Sequence, residues 1–187
     1  WGRAKAATEA HFGPVSILVN NAGIAPDGNP LDSMPEAHFD RMVAIKLTGT
    51  YNGIRSFVPT MRAAGDGHIV NTASMAGLNI RANLGAYTAS KFAIVGLSEV
   101  LRAELEPVGV GVSVLCPGLV ATNLGINSGR GALPGGIDAA IVADQVIDGI
   151  THNHLHIITH VEQRSAVEHR MQRVLSAFDR VTDANSK

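Results

Sequence analysis

Gly65-Asp66-Gly67-His68-Ile69-Val70-Asn71-Thr72 is the stretch on which the fold turns. Gly-Asp-Gly signals a turn, and the short, mostly apolar run 68–72 behind it reads as a strand. Upstream, Ser33-Met34-Pro35-Glu36 is a capping box with proline inside the first turn, which predicts a long helix ending near residue 64. Downstream, a second long helix is expected over 85–106, stopped by Pro107. The alternation continues outward in both directions. Residues 3–12 read as the tail of a helix halted by Gly13-Pro14, and Ile17-Leu18-Val19 as an apolar strand of the kind buried on both faces. Beyond residue 106 the pattern predicts a strand over 110–115, a helix over 137–151, a strand over 155–158 and a helix over 163–180. Strands separated by long helices imply an α/β fold, a doubly wound parallel sheet in one domain with helices on both faces. Repeats, low-complexity tracts and linkers are absent from the sequence.

Composition narrows the classes of function. The 187 residues carry 15 Lys and Arg against 16 Asp and Glu, a formal charge of −1. That balance excludes a sequence-independent nucleic-acid binder, which needs basic excess to meet phosphates. Charged residues are 17% of the chain, below the roughly 25% of ordinary soluble domains, while hydrophobic residues are 45%. A large core and a subunit surface are therefore expected. The single cysteine, Cys116, excludes an internal disulfide, fits a reducing, cytoplasmic compartment and reads as a small buried residue. The longest uncharged stretch, 107–129, is broken by Gly109, Gly111, Pro117, Gly118 and Gly125, so it reads as a strand and loop, and no membrane partner is expected.

The chemistry concentrates between residues 71 and 91. Tyr87 and Lys91 lie four apart near a helix start, on one face. A phenol with its ordinary pKa near 10 is a poor base at neutral pH. A nearby ammonium and the positive end of the helix favour the phenolate, and lowering the pKa by about three units takes roughly 4 kcal/mol. Ser74 precedes Tyr87 by thirteen residues, directly after a strand, at the sheet edge where open α/β folds bind ligands. Serine, phenol and lysine together can polarise and protonate a carbonyl oxygen, although Tyr87 and Lys91 alone read first as a surface pair, and Ser74 as a turn serine.

Four motifs occur in order: Asn20-Asn21-Ala22-Gly23 after the first strand, Ser74 after the second, Tyr87-Thr88-Ala89-Ser90-Lys91 opening a helix, and Cys116-Pro117-Gly118-Leu119-Val120-Ala121-Thr122 after the third strand. In this order they resemble the short-chain dehydrogenase/reductase family, over about residues 17–158. The resemblance implies a Rossmann-like fold and an NAD(P)-dependent alcohol dehydrogenase or ketoreductase that interconverts a secondary alcohol and a ketone. It implies Tyr87 as general acid/base, Ser74 as the group orienting the substrate oxygen, and Lys91 as the residue that holds the nicotinamide ribose and lowers the Tyr87 pKa. Asn20, Asn21, Ala22 and Gly23 would line the adenosine side of NAD or NADP. Pro117, Gly118, Val120 and Thr122, with Tyr87 and Lys91, would surround its nicotinamide half. A homodimer or homotetramer built on the two long helices is the implied assembly.

Two features depart from the family pattern. Ile45-Lys46-Leu47-Thr48-Gly49 puts Lys46 where the family has a catalytic asparagine, whose backbone is thought to bind a proton-relaying water. Asn52 does not substitute for it, since six residues along a helix turn its side chain about 120° off that face. Retained but altered activity is expected, with Lys46 free to snorkel away, and serious impairment is the alternative. The second departure is that the family's opening strand, phosphate loop and helix do not precede residue 17. Residues 1–187 are therefore expected to be the C-terminal two-thirds of one such domain, from a protein of about 250 residues, and an intact mass well above that of this sequence is the corresponding expectation. Gly125-Ile126-Asn127-Ser128-Gly129-Arg130-Gly131 matches a phosphate-loop spacing but leads into Leu133-Pro134-Gly135-Gly136 rather than a helix. The resemblance makes 123–136 a mobile flap over the substrate instead.

His152, His154, His156 and His160 suggest a metal site, but alternate strand residues stand about 6.6 Å apart, too far for three imidazoles to meet one ion. No metal is expected. Met75, Leu78, Leu84, Leu119 and Leu124 suggest an apolar pocket for a bulky alcohol or ketone, although some read equally as core. The alternative to an enzyme is a non-catalytic, nucleotide-binding or regulatory relative, suggested by Lys46 and the absent phosphate loop.

Overall fold

The computed structural model describes residues 1–129, 131 and 134–185. Helix α1 (Gly2–Phe12) leads into β1 (Ile17–Asn20), and a 3-10 turn at Leu31–Ser33 precedes α2 (Glu36–Val43). A π-helical turn, Ala44–Thr48, joins α2 directly to α3 (Gly49–Ala64). Strand β2 (His68–Thr72), a 3-10 turn at Met75–Gly77, α4 (Gly85–Leu105) and β3 (Gly111–Cys116) follow. Then come β4 (Val120–Ala121), α5 (Leu124–Asn127), β5 (Ile137–Asp138), α6 (Ala139–Thr151), β6 (His156–Ile158) and α7 (Arg164–Asn185).

The order β1-β2-β3-β6 forms one sheet, parallel at every pairing, with Leu18 opposite Ile69 and Ile69 opposite Val112. Both faces are used, as parallel sheets require. Leu18, Ile69 and Val112 pack with Ile54, Phe57 and Met61 of α3 and with Leu101 and Leu105 of α4. On the opposite face Val70, Leu115 and Ile157 meet Val142, with Val146 and Ile150 packed against them, all three from α6. Burying each such side chain contributes about 1.5–3 kcal/mol, so this two-sided core holds the carboxyl ends of β1, β2 and β3 in one row.

Three expectations change. Strand β1 is not buried on both faces: Leu18 and Asn20 are buried toward α3, whereas Ile17 and Val19, on the other face of this edge strand, are 50% and 47% exposed. Ser33 does not cap the long helix. Pro35 keeps Met34 extended (φ −70°, ψ 126°), so the helix starts only after it, and Ser33 Oγ donates to Pro30 O at 3.4 Å instead. Residues 137 and 138 are drawn out of the following helix because Ile137 N–H donates to Leu119 O at 3.0 Å, forming β5. Asp138 then caps α6 by accepting from Ala140 N–H. Among the described residues no helix is long and apolar enough to cross a membrane.

Candidate active site

Strand β2 delivers Ser74 to the carboxyl edge of the sheet. Its extended backbone makes it the cap of the turn Met75–Gly77, where Oγ accepts from Ala76 N–H at 3.1 Å and donates to Pro117 O at 3.2 Å. Tyr87 and Lys91 lie in the first two turns of α4. Lys91 Nζ donates to Thr72 O at 2.6 Å, tying α4 to the end of β2, and stands 5.7 Å from the Tyr87 ring centroid. The serine turn rests directly on α4, since a Cβ added at Gly77 would lie 2.7 Å from the Lys91 carbonyl oxygen. Glycine at position 77 thus lets Ser74, Tyr87 and Lys91 share one corner.

Lys46 enters the same corner. It is only 2% exposed, its Nζ lies 4.6 Å from the Tyr87 ring centroid, and a Cβ added at Gly23 would come within 2.9 Å of that Nζ. The expected snorkelling to solvent does not occur, because the π-helical turn Ala44–Thr48 carries Lys46 inward toward Tyr87. Burial lowers the Lys46 pKa to about 8. Lys91 falls well below its ordinary value, from burial first and the Lys46 charge second. Two buried ammonium groups this close disfavour each other, so the pair prefers fewer than two protons. Burial pushes the Tyr87 phenol above its ordinary value, and the Ser74 hydroxyl opposes that rise. Desolvation thus raises the Tyr87 pKa where the resemblance implies a lowering by Lys91.

The flanking segments are held just as specifically. Asn20 turns into the sheet, where Nδ2 donates to Asn71 Oδ1 at 2.8 Å and Asn71 donates to Ser98 Oγ at 3.0 Å. Asn21 and Ala22 are exposed beyond β1, with Gly23 half-buried beside Lys46. After β3, Pro117 O accepts from Met75 N–H at 2.9 Å as well as from Ser74. Val120 is half-buried, and exposed Thr122 accepts from Leu124 N–H at 3.3 Å. His160, weighed in the sequence as a metal ligand, contacts this loop through Gly118 and Leu119. The only available signal was its place just past a strand at the carboxyl edge.

A model of the short chain dehydrogenase family matches residues 2–132. The chain belongs to that family. Trans-4-hydroxycyclohexanecarboxylate dehydrogenase of Sinomonas cyclohexanicum is 38% identical over 141 residues, covering 74% of this chain and 54% of the relative. A short chain dehydrogenase/reductase from Burkholderia phymatum, solved in complex with NAD, superposes with a TM-score of 0.84 at 31% identity, over 93% of this chain and 71% of that one. A short-chain dehydrogenase from Sphingobium yanoikuyae, solved with NADPH, gives a TM-score of 0.75 at 26% identity, over 91% and 70%. The chain spans 20% to 65% of the length of eight curated relatives it matches.

In this member of the family the glycine run after Thr122 does not lead straight from a strand into a helix as a phosphate loop does. Helix α5 occupies its first half and Gly129 adopts φ +74°. Ser128 Oγ accepts from Ala25 N–H at 2.8 Å, linking the expected flap to the segment past Gly23, while Arg130, Ala132 and Leu133 of that flap lie outside the described residues. His152 and His154 face Asp148, and His156 faces Glu99. Among the described residues no three His, Cys, Asp or Glu side chains are grouped to hold a metal. Cys116 is buried with its thiol pushed up to about 12 by burial. Of the five residues expected around an apolar pocket, Met75 and Leu78 share a cavity of about 400 Å³ with Ile158, His160, Val161 and Val167; Leu119 is exposed.

Proposed function

We propose that this chain is the catalytic part of an NAD(P)-dependent oxidoreductase that interconverts a secondary alcohol and a ketone, with Tyr87 as proton donor and acceptor. The carrying observation is the convergence of the Ser74 turn, Tyr87 and Lys91 at the carboxyl edge of a parallel sheet, between the segments 20–23 and 117–122. These residues fit a nicotinamide dinucleotide. Two buried amines and a phenol offer donors for ribose hydroxyls at the carboxyl edge of the sheet. Lys91 and Tyr87 would hold the ribose of its nicotinamide half, segment 117–122 the ring, and segment 20–23 the adenosine side. Relatives solved with NAD and with NADPH support either cofactor.

When bound, the nicotinamide supplies or removes the hydride. The protein handles the proton. Burial keeps Tyr87 protonated at neutral pH, which suits donation to a ketone oxygen as that oxygen gains charge. Ser74 Oγ–H is free to turn from Pro117 O toward the same oxygen, which orients the carbonyl. In the reverse direction the phenolate takes the alcohol proton. Lys91 and Lys46, both beside the ring, set how readily that phenolate forms. Met75 and Leu78 beside Ser74 support an apolar small-molecule substrate, and the hydroxycyclohexane acid named for one relative is a cyclic secondary alcohol. A homodimer or homotetramer in the cytoplasm completes the proposal, with no nucleic-acid or membrane partner.

The test follows absorbance of the reduced nicotinamide with a panel of apolar ketones and alcohols. Tyr87→Phe is expected to lower turnover by roughly 10²–10⁴-fold, the range for removing a general acid, while cofactor affinity, held also by Lys91, falls far less. Full activity in that variant refutes the assignment. The second reading, a non-catalytic nucleotide binder, is favoured by Lys46 crowding Lys91, and tight dinucleotide binding without turnover of any substrate would establish it.

A further inference from the structure

His160 belongs to none of the motifs that point to the reaction, yet its ring is buried against the loop after β3. Gly118 N–H donates to Nδ1 at 3.1 Å, and the Thr159 hydroxyl lies 2.6 Å from the same nitrogen. On the other side of the ring, Nε2 lies 3.1 Å from Leu119 O. A carbonyl oxygen can only accept, so Nε2 carries the hydrogen and Nδ1 is bare. Only this neutral tautomer satisfies the neighbours on both sides. Gly118 completes the socket: an added Cβ would lie 2.5 Å from ring atoms Cγ and Cδ2 and 2.9 Å from Gln163 Nε2. From the opposite side Pro117 O is held by Met75 N–H and Ser74 Oγ. Residues 117–119 are therefore gripped between the reacting serine and one imidazole that comes from beyond β6.

We propose that His160 is a positioning residue: its neutral ring clamps residues 117–119 into the conformation that receives the nicotinamide half of a dinucleotide. The proposal rests on the oxidoreductase reading above and adds a residue outside the cofactor-lining segments. A loop already ordered need not be ordered on binding, and that saving appears as affinity. Without the ring, Gly118 N–H and Leu119 O lose their partner, and glycine at position 118 gives the peptide wide freedom.

Two measurements on the intact natural protein test this. Imidazole ¹⁵N NMR, with the His160 signals assigned by their loss in His160→Gln, is expected to show the hydrogen on Nε2; a hydrogen on Nδ1 overturns the clamp without reference to activity. Kinetics and equilibrium binding then compare His160→Ala, His160→Asn and Gly118→Ala, with melting curves to confirm folding. The expected result is a rise of about tenfold in cofactor KM and Kd for His160→Ala, with kcat changed much less. His160→Asn keeps an acceptor near the Nδ1 position and is expected to recover most of the affinity. Gly118→Ala displaces the ring and should resemble His160→Ala. Unchanged cofactor affinity in a folded His160→Ala overturns the proposal alone. Failure of the parent protein to bind any nicotinamide dinucleotide overturns the functional reading and this proposal together.

Discussion

Lys46 is the residue at which chemistry and stability conflict. In the unfolded chain it keeps its proton up to about pH 10.5, and in the folded protein only to about 8. Between those values the unfolded state binds the additional proton, so stability rises as pH increases from about 8 to 10.5 and the penalty is fully present below 8. Complete burial makes this a penalty of about 3 kcal/mol. Lys46→Met is therefore expected to raise the urea midpoint at pH 7 by an amount equivalent to about 2–3 kcal/mol and to flatten the alkaline rise. An equal slope in both proteins above pH 8 rules the idea out. Lys46→Asn has a separate kinetic consequence. Removing the Lys46 charge lets the Lys91 ammonium persist to higher pH, so the pH–rate profile should move to alkaline values; an unchanged rate and profile removes Lys46 from the mechanism. That Tyr87 and Lys91 share a face was legible in the sequence, because i, i+4 on a helix is a local fact, whereas reading them as a site with Ser74 rested on four motifs in order. The inward course of Lys46 was not legible, since it depends on how a π turn meets α4.

At the scale of elements, close contacts between helix and strand separate two glycines that sequence alone treats alike. Gly53 of α3 lies against β1, where an added Cβ would sit 2.2 Å from Asn20 Oδ1. That side chain is held by Asn71 and has little room to yield. Gly96 of α4 has nothing within 4 Å of the same point. Gly53→Ala is expected to destabilise by about 1–3 kcal/mol through overpacking, and Gly96→Ala to stabilise by up to about 1 kcal/mol through helix propensity. Denaturant midpoints with unchanged slope check both, and a neutral Gly53→Ala would show that β1 and α3 are less closely packed than described. The main strands and long helices were readable from apolar runs, turn glycines and prolines. The pieces that were not readable, β5 and the true start of α2, are set by distant pairing with residues 119–121 and by the restriction Pro35 places on Met34.

For the whole molecule, the parallel sheet and its two-sided core followed from the alternation of elements, which does not by itself say which strand lies outermost on a given flank. In this structure β1 is that strand, pairing only with β2 in the described sheet. Its outer face carries Ile17 and Val19, each about half exposed, beside an unpaired row of backbone donors and acceptors. Exposed apolar edges recruit other strands, and a lysine on the edge is a common deterrent. The 187 residues expressed alone are therefore expected to self-associate in a concentration-dependent way that light scattering detects. Val19→Lys should suppress that association severalfold while changing the unfolding midpoint little, since position 19 makes no core contact on its exposed face and surface substitutions usually fall within about 0.5 kcal/mol. Leu18→Lys is the contrasting variant: its side chain lies in the core with Ile54, Phe57 and Ile69, so it should unfold the protein rather than solubilise it. Undiminished scattering in a folded Val19→Lys would place the association elsewhere on the surface, because a charge on this strand opposes edge pairing whatever the partner strand's sequence.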